Sequence, residues 1–148
     1  MDFEFGESSK LTPELRCLVA REYYSGQLQR PRLDGVAKPV CPFSLGENNL
    51  YVAYNASAEM NCHLVLDWSL PNYLLDLFSE FRCQTNGVAL PAGQGLIGAL
   101  SANGLEHIPM VEKAEMRELA MRGGPYSPEE QVALLDYCQT DVDALIAL

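Results

Sequence analysis

Three short segments of the chain carry acidic or aromatic residues at spacings suited to binding divalent cations. The first lies near the N-terminus, where Asp2 and Glu4 are two residues apart. On a β-strand, residues at this spacing face the same side of the sheet. Two neighbouring carboxylates repel each other unless a cation joins them. Taken alone, however, the pair favours a plainer interpretation, the solvated face of an edge strand.

A second pair of polar residues follows a short apolar run at residues 50–54, which is predicted to form a buried strand. Asn55 comes directly after this run, and Glu59 lies four residues further on. That spacing places the Glu59 carboxylate one turn into the helix that is expected to follow. Functional groups in α/β sheets commonly lie where a buried strand ends, so both residues are candidates for a site.

The third segment pairs a phenol with a carboxylate near the C-terminus. Tyr137 and Asp141 are four residues apart within a helical pattern, so their side chains lie on the same helix face. Taken alone, this spacing favours a surface pair on an amphipathic helix. Only the three segments in combination favour a functional site over these plainer interpretations.

Alternating hydrophobicity and turn residues predict the strands that must position these groups. Residues 2–5 alternate acidic and aromatic side chains, which is typical of a strand. Residues 15–24 are rich in strand formers, Ser25 and Gly26 supply a turn, and residues 27–33 are predicted to return as a second strand. Together these segments predict a β-hairpin or a three-stranded meander.

The remainder of the chain is predicted to alternate between strands and helices after a loop at residues 34–49. The helix over residues 56–68 is expected to bury an apolar face made by Met60, Leu64 and Trp68, which lie four residues apart. The other predicted elements are a strand at 73–78 and helices at 79–85, 95–103 and 111–121. This order predicts an α/β fold with a mixed sheet.

The last predicted helix has the best-marked boundary in the sequence. Ser127 and Glu130 have the spacing of a capping box, and Pro128 occupies the first helical position. The helix is expected to run from there nearly to Leu148. It would carry both Tyr137 and Asp141.

Bulk properties limit the class of protein. A length of 148 residues fits a single domain, 1–148, and no apolar run approaches the roughly 20 residues that cross a membrane. The N-terminus lacks a signal-peptide pattern, so a cytoplasmic location is expected.

The net charge of -10 argues against a broad basic surface for nucleic acid. It is compatible with carboxylates that bind cations, because the metals then meet the phosphate.

The cysteine and histidine patterns argue against a zinc site. The five cysteines are widely spaced and include no C-x-x-C pair, so free, buried thiols are expected. His63 and His107 lie in no metal-binding spacing and are expected to be structural. Oxygen ligands are therefore the candidates for metal binding.

In combination, the three segments resemble the motifs of the DEDD 3′→5′ exonucleases, a ribonuclease H-like family. Its D-x-E motif corresponds to DFE here, its second motif to NASAE, and its Y-x-x-x-D motif to YCQTD, in the same order. The strand LLDLF and the helix SPEEQVALLDYCQTDVDAL also resemble the family. The similarity covers nearly the whole chain and is greatest to proofreading domains of bacterial and phage family A DNA polymerases.

This resemblance implies a ribonuclease H-like mixed β-sheet flanked by α-helices. It also implies two-metal hydrolysis of phosphodiester bonds with two Mg²⁺ or Mn²⁺ ions. Asp2, Glu4, Glu59 and Asp141 would be the metal ligands, and Tyr137 would orient the attacking water. Asn55 would help to position the substrate. The implied partners are the 3′ end of a single-stranded nucleic acid and a polymerase domain or subunit.

Glu59 departs from the family pattern, which has aspartate at this position. In the family that residue reaches the second metal largely through water, and such a role tolerates one extra methylene better than direct coordination. A different class of function is also open, a catalytically weak or inactive exonuclease-like scaffold that binds other proteins. The sequence does not separate DNA from RNA as the substrate.

Overall fold

The computed structural model describes residues 1–7, 12–106 and 110–148, without the side chains of Glu7, Met110 and Val111. The described chain forms five strands and five helices, which makes it a mixed α/β fold. The strands are β1 (Asp2–Glu7), β2 (Pro13–Arg21), β3 (Leu28–Gln29), β4 (Leu50–Ala53) and β5 (Tyr73–Asp76). The helices are α1 (Ala56–Val65), α2 (Leu77–Gln84), α3 (Leu96–Ala102), α4 (Met110–Arg122) and α5 (Pro128–Ala147).

The first three strands form an antiparallel sheet in the order β1-β2-β3. Glu4 pairs with Cys17 and Phe5 with Leu15, so the register shifts by one residue directly after Glu4. Such bulges bend a strand locally and redirect its side chains. The irregularity therefore lies next to one of the candidate metal ligands.

Strand β2 is the centre of the fold, because residues 15–19 are all buried. Leu18 faces one core cluster, which contains Phe3 and Cys62. Cys17 and Val19 face a second cluster on the other side of the sheet. A strand covered on both faces is expected to be continuously apolar, and the LRCLV run satisfies this except at Arg16.

Helix α5 covers the second face of the sheet. Its buried residues Leu134, Cys138 and Val142 pack in the same cluster as Val19. The spacing of four residues places all three on one helix face. Ser127 and Glu130 form both hydrogen bonds of the predicted capping box, so this helix begins where the sequence predicted.

The N-terminal end of α5 and the C-terminal end of α4 are held together by charged side chains. Arg122 donates to both carboxylate oxygens of Glu130 over 2.8 and 2.9 Å. Arg16, which is buried, donates from Nε to the Ala120 carbonyl oxygen over 3.2 Å. These contacts tie α4 to β2 and α5 and fix its orientation over the sheet.

Strands β4 and β5 form a separate parallel pair. The Met1 amino group donates to the Val52 carbonyl oxygen over 2.9 Å, which links the start of β1 to β4. Asp76 ends β5 and accepts a hydrogen bond from the Phe78 N–H, so it caps α2. The carboxyl ends of both parallel strands thus lead directly into helices.

The structure confirms the predicted α/β class and the order of the elements, but the strands form two separate sheets, one antiparallel and one parallel, instead of the single mixed sheet that was predicted. Several details also differ. The strand predicted over 27–33 shortens to β3 with an isolated bridge from Arg32 to Cys17. Helix α1 ends at Val65. The face predicted for it is wrong at Leu64, which is 64% exposed, whereas Met60 and Trp68 pack, partly buried, against the core. The helix residues that are buried are Ala56, Glu59, Cys62 and His63. Cys62 on the buried face packs in the same core cluster as Phe3 of β1 and Leu18 of β2.

The expectations for the cysteines and histidines hold in part. All five cysteines are free thiols in the described residues, but Cys83 is exposed, which corrects the expectation that each thiol is buried. His63 is fully buried, with its ring nitrogens 2.9 Å from the Tyr51 hydroxyl and 3.0 Å from the Ser69 carbonyl oxygen. It is structural, as predicted, while His107 lies outside the described residues. Among the described helices, none has the length and apolar character needed to span a membrane.

Candidate metal centre

Strand β1 presents two carboxylates toward the helix α5 side of the sheet. Phe3 is buried in the opposite core cluster, and alternation along the strand directs Asp2 and Glu4 the other way. One oxygen of each carboxylate and the Cys138 sulfur all lie within 4.8 Å of one another. The sequence prediction that Asp2 and Glu4 project together therefore agrees with the geometry.

The two β1 carboxylates are costly to ionise together. Burial, followed by repulsion from Asp141, raises the pKa of Asp2 from 3.8 to about 7. Burial and the neighbouring Asp2 raise the pKa of Glu4 well above its ordinary value. Desolvation and like charge both disfavour the anionic forms. The positive charges of the Met1 amino group and of Lys113 lower the pKa of Asp2 but do not offset burial.

Helix α1 contributes a third carboxylate at the start of β1. Glu59 is only 3% exposed, and its Oε2 atom has no hydrogen-bond partner among the described residues. Burial, and next the charge of Asp2, raise the pKa of Glu59 well above its usual value. A buried oxygen without a partner is rare and costly in folded proteins. A bound cation would satisfy it.

Helix α5 supplies the remaining groups from one face. Asp141 is near enough to Asp2 and Glu4 that its charge raises the pKa of both. Tyr137, one turn earlier, is buried, and burial together with the charge of Asp141 raises the pKa of its phenol. The phenol therefore remains protonated at neutral pH and is available as a hydrogen-bond donor.

Cys138 is a further α5 residue at this site that the sequence interpretation missed. Its thiol lies 3.2 Å from the Asp2 carbonyl oxygen and 3.5 Å from the Asp2 carboxylate. Burial raises the pKa of Cys138 well above its ordinary value. The thiol thus acts as a hydrogen-bond donor to Asp2 and orients that carboxylate. Cys138 lies three residues before Asp141, so the two side chains share one face of the helix. This spacing could have identified Cys138 as a site residue.

Lys113 of α4 is the second residue that sequence reasoning missed. Its ammonium donates to both carboxylate oxygens of Asp141, over 2.9 and 2.7 Å. The same Nζ atom lies 5.6 Å from the centre of the Tyr137 ring. Its positive charge also lowers the pKa of Asp2 and Glu4, against the larger effect of burial. Because Lys113 is 28 residues from Asp141, no local sequence pattern could have paired them.

Asn55 is exposed to solvent, unlike the acidic residues of the site. It has φ 69° and ψ 58°, a left-handed conformation that asparagine tolerates better than most residues. Its N–H donates to Asp76 over 3.0 Å, and its side-chain oxygen accepts from Ser57 over 3.0 Å. These bonds shape the turn from β4 into α1, which places Glu59. A substrate contact by Asn55 stays a prediction.

The geometry brings Asp2 and Glu4 within ligand distance of each other, and Glu59 and Asp141 lie near enough to Asp2 for their charges to interact with it. The charge of Asp141 raises the pKa of Asp2, of Glu4 and of Glu59. The charges of Asp141 and Glu4 also raise the pKa of Tyr137, which lies beside them. These residues come from a strand and two helices that are distant in sequence. All four acids offer the hard oxygen ligands that Mg²⁺ and Mn²⁺ prefer. The orphaned Glu59 oxygen and the crowded carboxylates fit such ions.

A cavity of about 230 Å³ adjoins this acidic group. Its lining is apolar at Leu96, Leu100 and Ala144 and acidic at Glu106, Asp141 and Asp143. The cavity therefore combines an apolar surface with carboxylates that could hold a cation.

Three comparisons, with protein-family models, with curated proteins and with solved structures, found no match to this chain.

Proposed function

We propose that the protein is a 3′→5′ exonuclease with a ribonuclease H-like fold, which hydrolyses single-stranded DNA or RNA with the help of two Mg²⁺ or Mn²⁺ ions. One observation carries this proposal. Asp2 and Glu4 lie side by side against Cys138 of α5, and the buried Glu59 next to them has a carboxylate oxygen with no partner in the described residues. Motif order and spacing support the same conclusion.

The side chains have distinct roles in this proposal. Asp2, Glu4 and Asp141 would hold the ions directly, and Glu59 would support the second one from its buried position. The ions, when bound, lower the pKa of water and stabilise negative charge on the phosphate and the leaving oxygen. The protonated Tyr137 phenol would donate to the attacking water and orient it, while Cys138 holds the Asp2 carboxylate in place.

The surface around the centre favours a short, single-stranded substrate end. The net charge of -10 disfavours wide contact with a nucleic-acid backbone. Affinity would then come from the ions, which meet the phosphate, and from the apolar side chains in the cavity beside Asp141, against which a nucleobase would pack. A polymerase domain or subunit that delivers the strand end is the partner that the motif resemblance supports.

A second candidate function is a non-catalytic scaffold with this same fold. Lys113 already neutralises Asp141 through two hydrogen bonds, and Glu59 replaces the aspartate of the resembling family. Both features would be compatible with a site that no longer hydrolyses nucleic acid. This candidate and the enzyme differ in one measurable property, divalent-dependent shortening of a strand.

The experiment uses 5′-labelled single strands of DNA and of RNA with Mn²⁺ or Mg²⁺. We expect a ladder that shortens from the 3′ end, and its loss in Asp141→Asn and in EDTA. Arg82→Met, at an exposed position on α2, is the matched control for handling and purity. Intact strands after prolonged incubation with the unaltered protein would favour the scaffold instead.

A further inference from the structure

Lys113 occupies the position where a cation is needed. Its ammonium contacts both oxygens of Asp141 at once, and Asp141 is only 13% exposed. One ammonium thus engages the carboxylate that the proposed function assigns to a divalent ion. Two cations at such short separation repel strongly, because the partly buried site screens them less than water does.

We infer that Lys113 is an internal counter-ion of the metal centre, and that a divalent ion binds Asp141 only by displacing it. This inference rests on the proposed function, since it concerns the same carboxylate. In the metal-free protein the lysine neutralises part of the acidic cluster. When an ion binds, the lysine leaves Asp141, so metal binding and the lysine position are coupled.

The fold permits this exchange without moving a helix. The C-terminal end of α4 is fixed, because the Ala120 carbonyl oxygen accepts hydrogen bonds from Arg16 and from the Tyr126 hydroxyl. The Lys113 side chain is 28% exposed, so it has a path to solvent. Its flexible four-carbon stem allows the ammonium to rotate away. Because the ion must displace Lys113, a higher concentration of the divalent ion is needed to occupy the site.

Two substitutions at position 113 should change Mn²⁺ affinity in opposite directions. Lys113→Met keeps the length and helix propensity of the side chain but removes the charge, so Mn²⁺ should bind about tenfold more tightly, as expected when a charged hydrogen-bonded competitor is lost. Lys113→Arg keeps the charge and adds a rigid fork that matches a carboxylate. Mn²⁺ should then bind equally or more weakly than to the unaltered protein.

The measurement is calorimetric titration of the full chain with Mn²⁺ in the absence of nucleic acid. Arg117→Met is the control, because it removes one charge from an exposed position on the same helix and should leave the affinity unchanged. Asp141→Asn should bind Mn²⁺ weakly in every background. Lys113→Arg keeps the test valid even where Lys113→Met does not fold.

The outcomes separate this inference from the proposed function. The counter-ion role is supported if Lys113→Met binds Mn²⁺ more tightly than the unaltered protein while Arg117→Met and Lys113→Arg do not. Equal Mn²⁺ affinity in Lys113→Met and the unaltered protein, a similar gain in Arg117→Met, or tighter binding by Lys113→Arg would each overturn it while the metal centre stands. Absence of Mn²⁺ binding in all variants, Lys113→Met included, overturns both.

Discussion

Replacing Asp2 with asparagine should stabilise the metal-free protein at alkaline pH, although it removes a proposed metal ligand. The folded protein holds this carboxyl group at a pKa of about 7, against 3.8 in its ordinary state, chiefly because of burial. The folded state therefore binds a proton more tightly than the unfolded state does. Stability falls as pH rises above the unfolded pKa and stops falling once pH passes the folded value.

The magnitude follows from the shift in pKa. A difference of about 3 units corresponds to roughly 4 kcal/mol of stability lost by pH 8, at about 1.4 kcal/mol per unit. At pH 5 the loss is only about 1.5 kcal/mol by the same relation. Asp2 is half-buried, so solvent screening reduces both figures. We expect Asp2→Asn to gain about 1–2.5 kcal/mol more at pH 8 than at pH 5.

The assay is urea unfolding in EDTA at pH 5 and pH 8, for the unaltered protein and for Asp2→Asn. The same pair is then compared with Mn²⁺ at pH 8, where the unaltered protein should gain stability by mass action and the variant should not. Asp34→Asn is the control, because Asp34 lies outside the acidic cluster and bonds to Arg32. A stabilisation by Asp2→Asn that is equal at both pH values would refute the reasoning.

Two further predictions concern the roles of individual side chains in cleavage of a labelled single strand. Glu59→Asp should leave the Mg²⁺-supported rate of cleavage unchanged or raise it. Glu59→Ala should lower that rate by roughly tenfold or more. Unchanged cleavage by Glu59→Ala would show that Glu59 does not support the ions. Tyr137→Phe should slow cleavage by roughly 10- to 100-fold and leave Mn²⁺ affinity intact, since only a donor to water is lost; a parallel loss of Mn²⁺ affinity would instead assign Tyr137 to ion binding.

Much of the fold could be predicted because its signals are local. The alternation at residues 2–5 marks β1, and the capping box at Ser127 and Glu130 marks the start of α5. Residue spacing on these elements also predicted which site side chains face the same way. The pairs Asp2 with Glu4 and Tyr137 with Asp141 needed only the geometry of a strand and of a helix.

The remaining features depend on packing between distant elements. The apolar face predicted for α1 was wrong at Leu64, because the helix turns Cys62 and the polar Glu59 and His63 toward the interior. A buried carboxylate such as that of Glu59 is not expected from a pattern that buries only apolar residues. The ion pair between Lys113 and Asp141 joins α4 to α5, and only the tertiary structure brings these helices together.

The most direct test of the proposed centre is anomalous diffraction from crystals of the protein soaked with Mn²⁺. We expect anomalous peaks at about 2–2.5 Å from carboxylate oxygens of Asp2 and Asp141, a normal range for divalent ions and oxygen ligands. The Lys113 ammonium should then lie away from Asp141. Density for Lys113 still bonded to both Asp141 oxygens, with no anomalous peak among the four acids at saturating Mn²⁺, would contradict the assignment of this cluster as a metal centre.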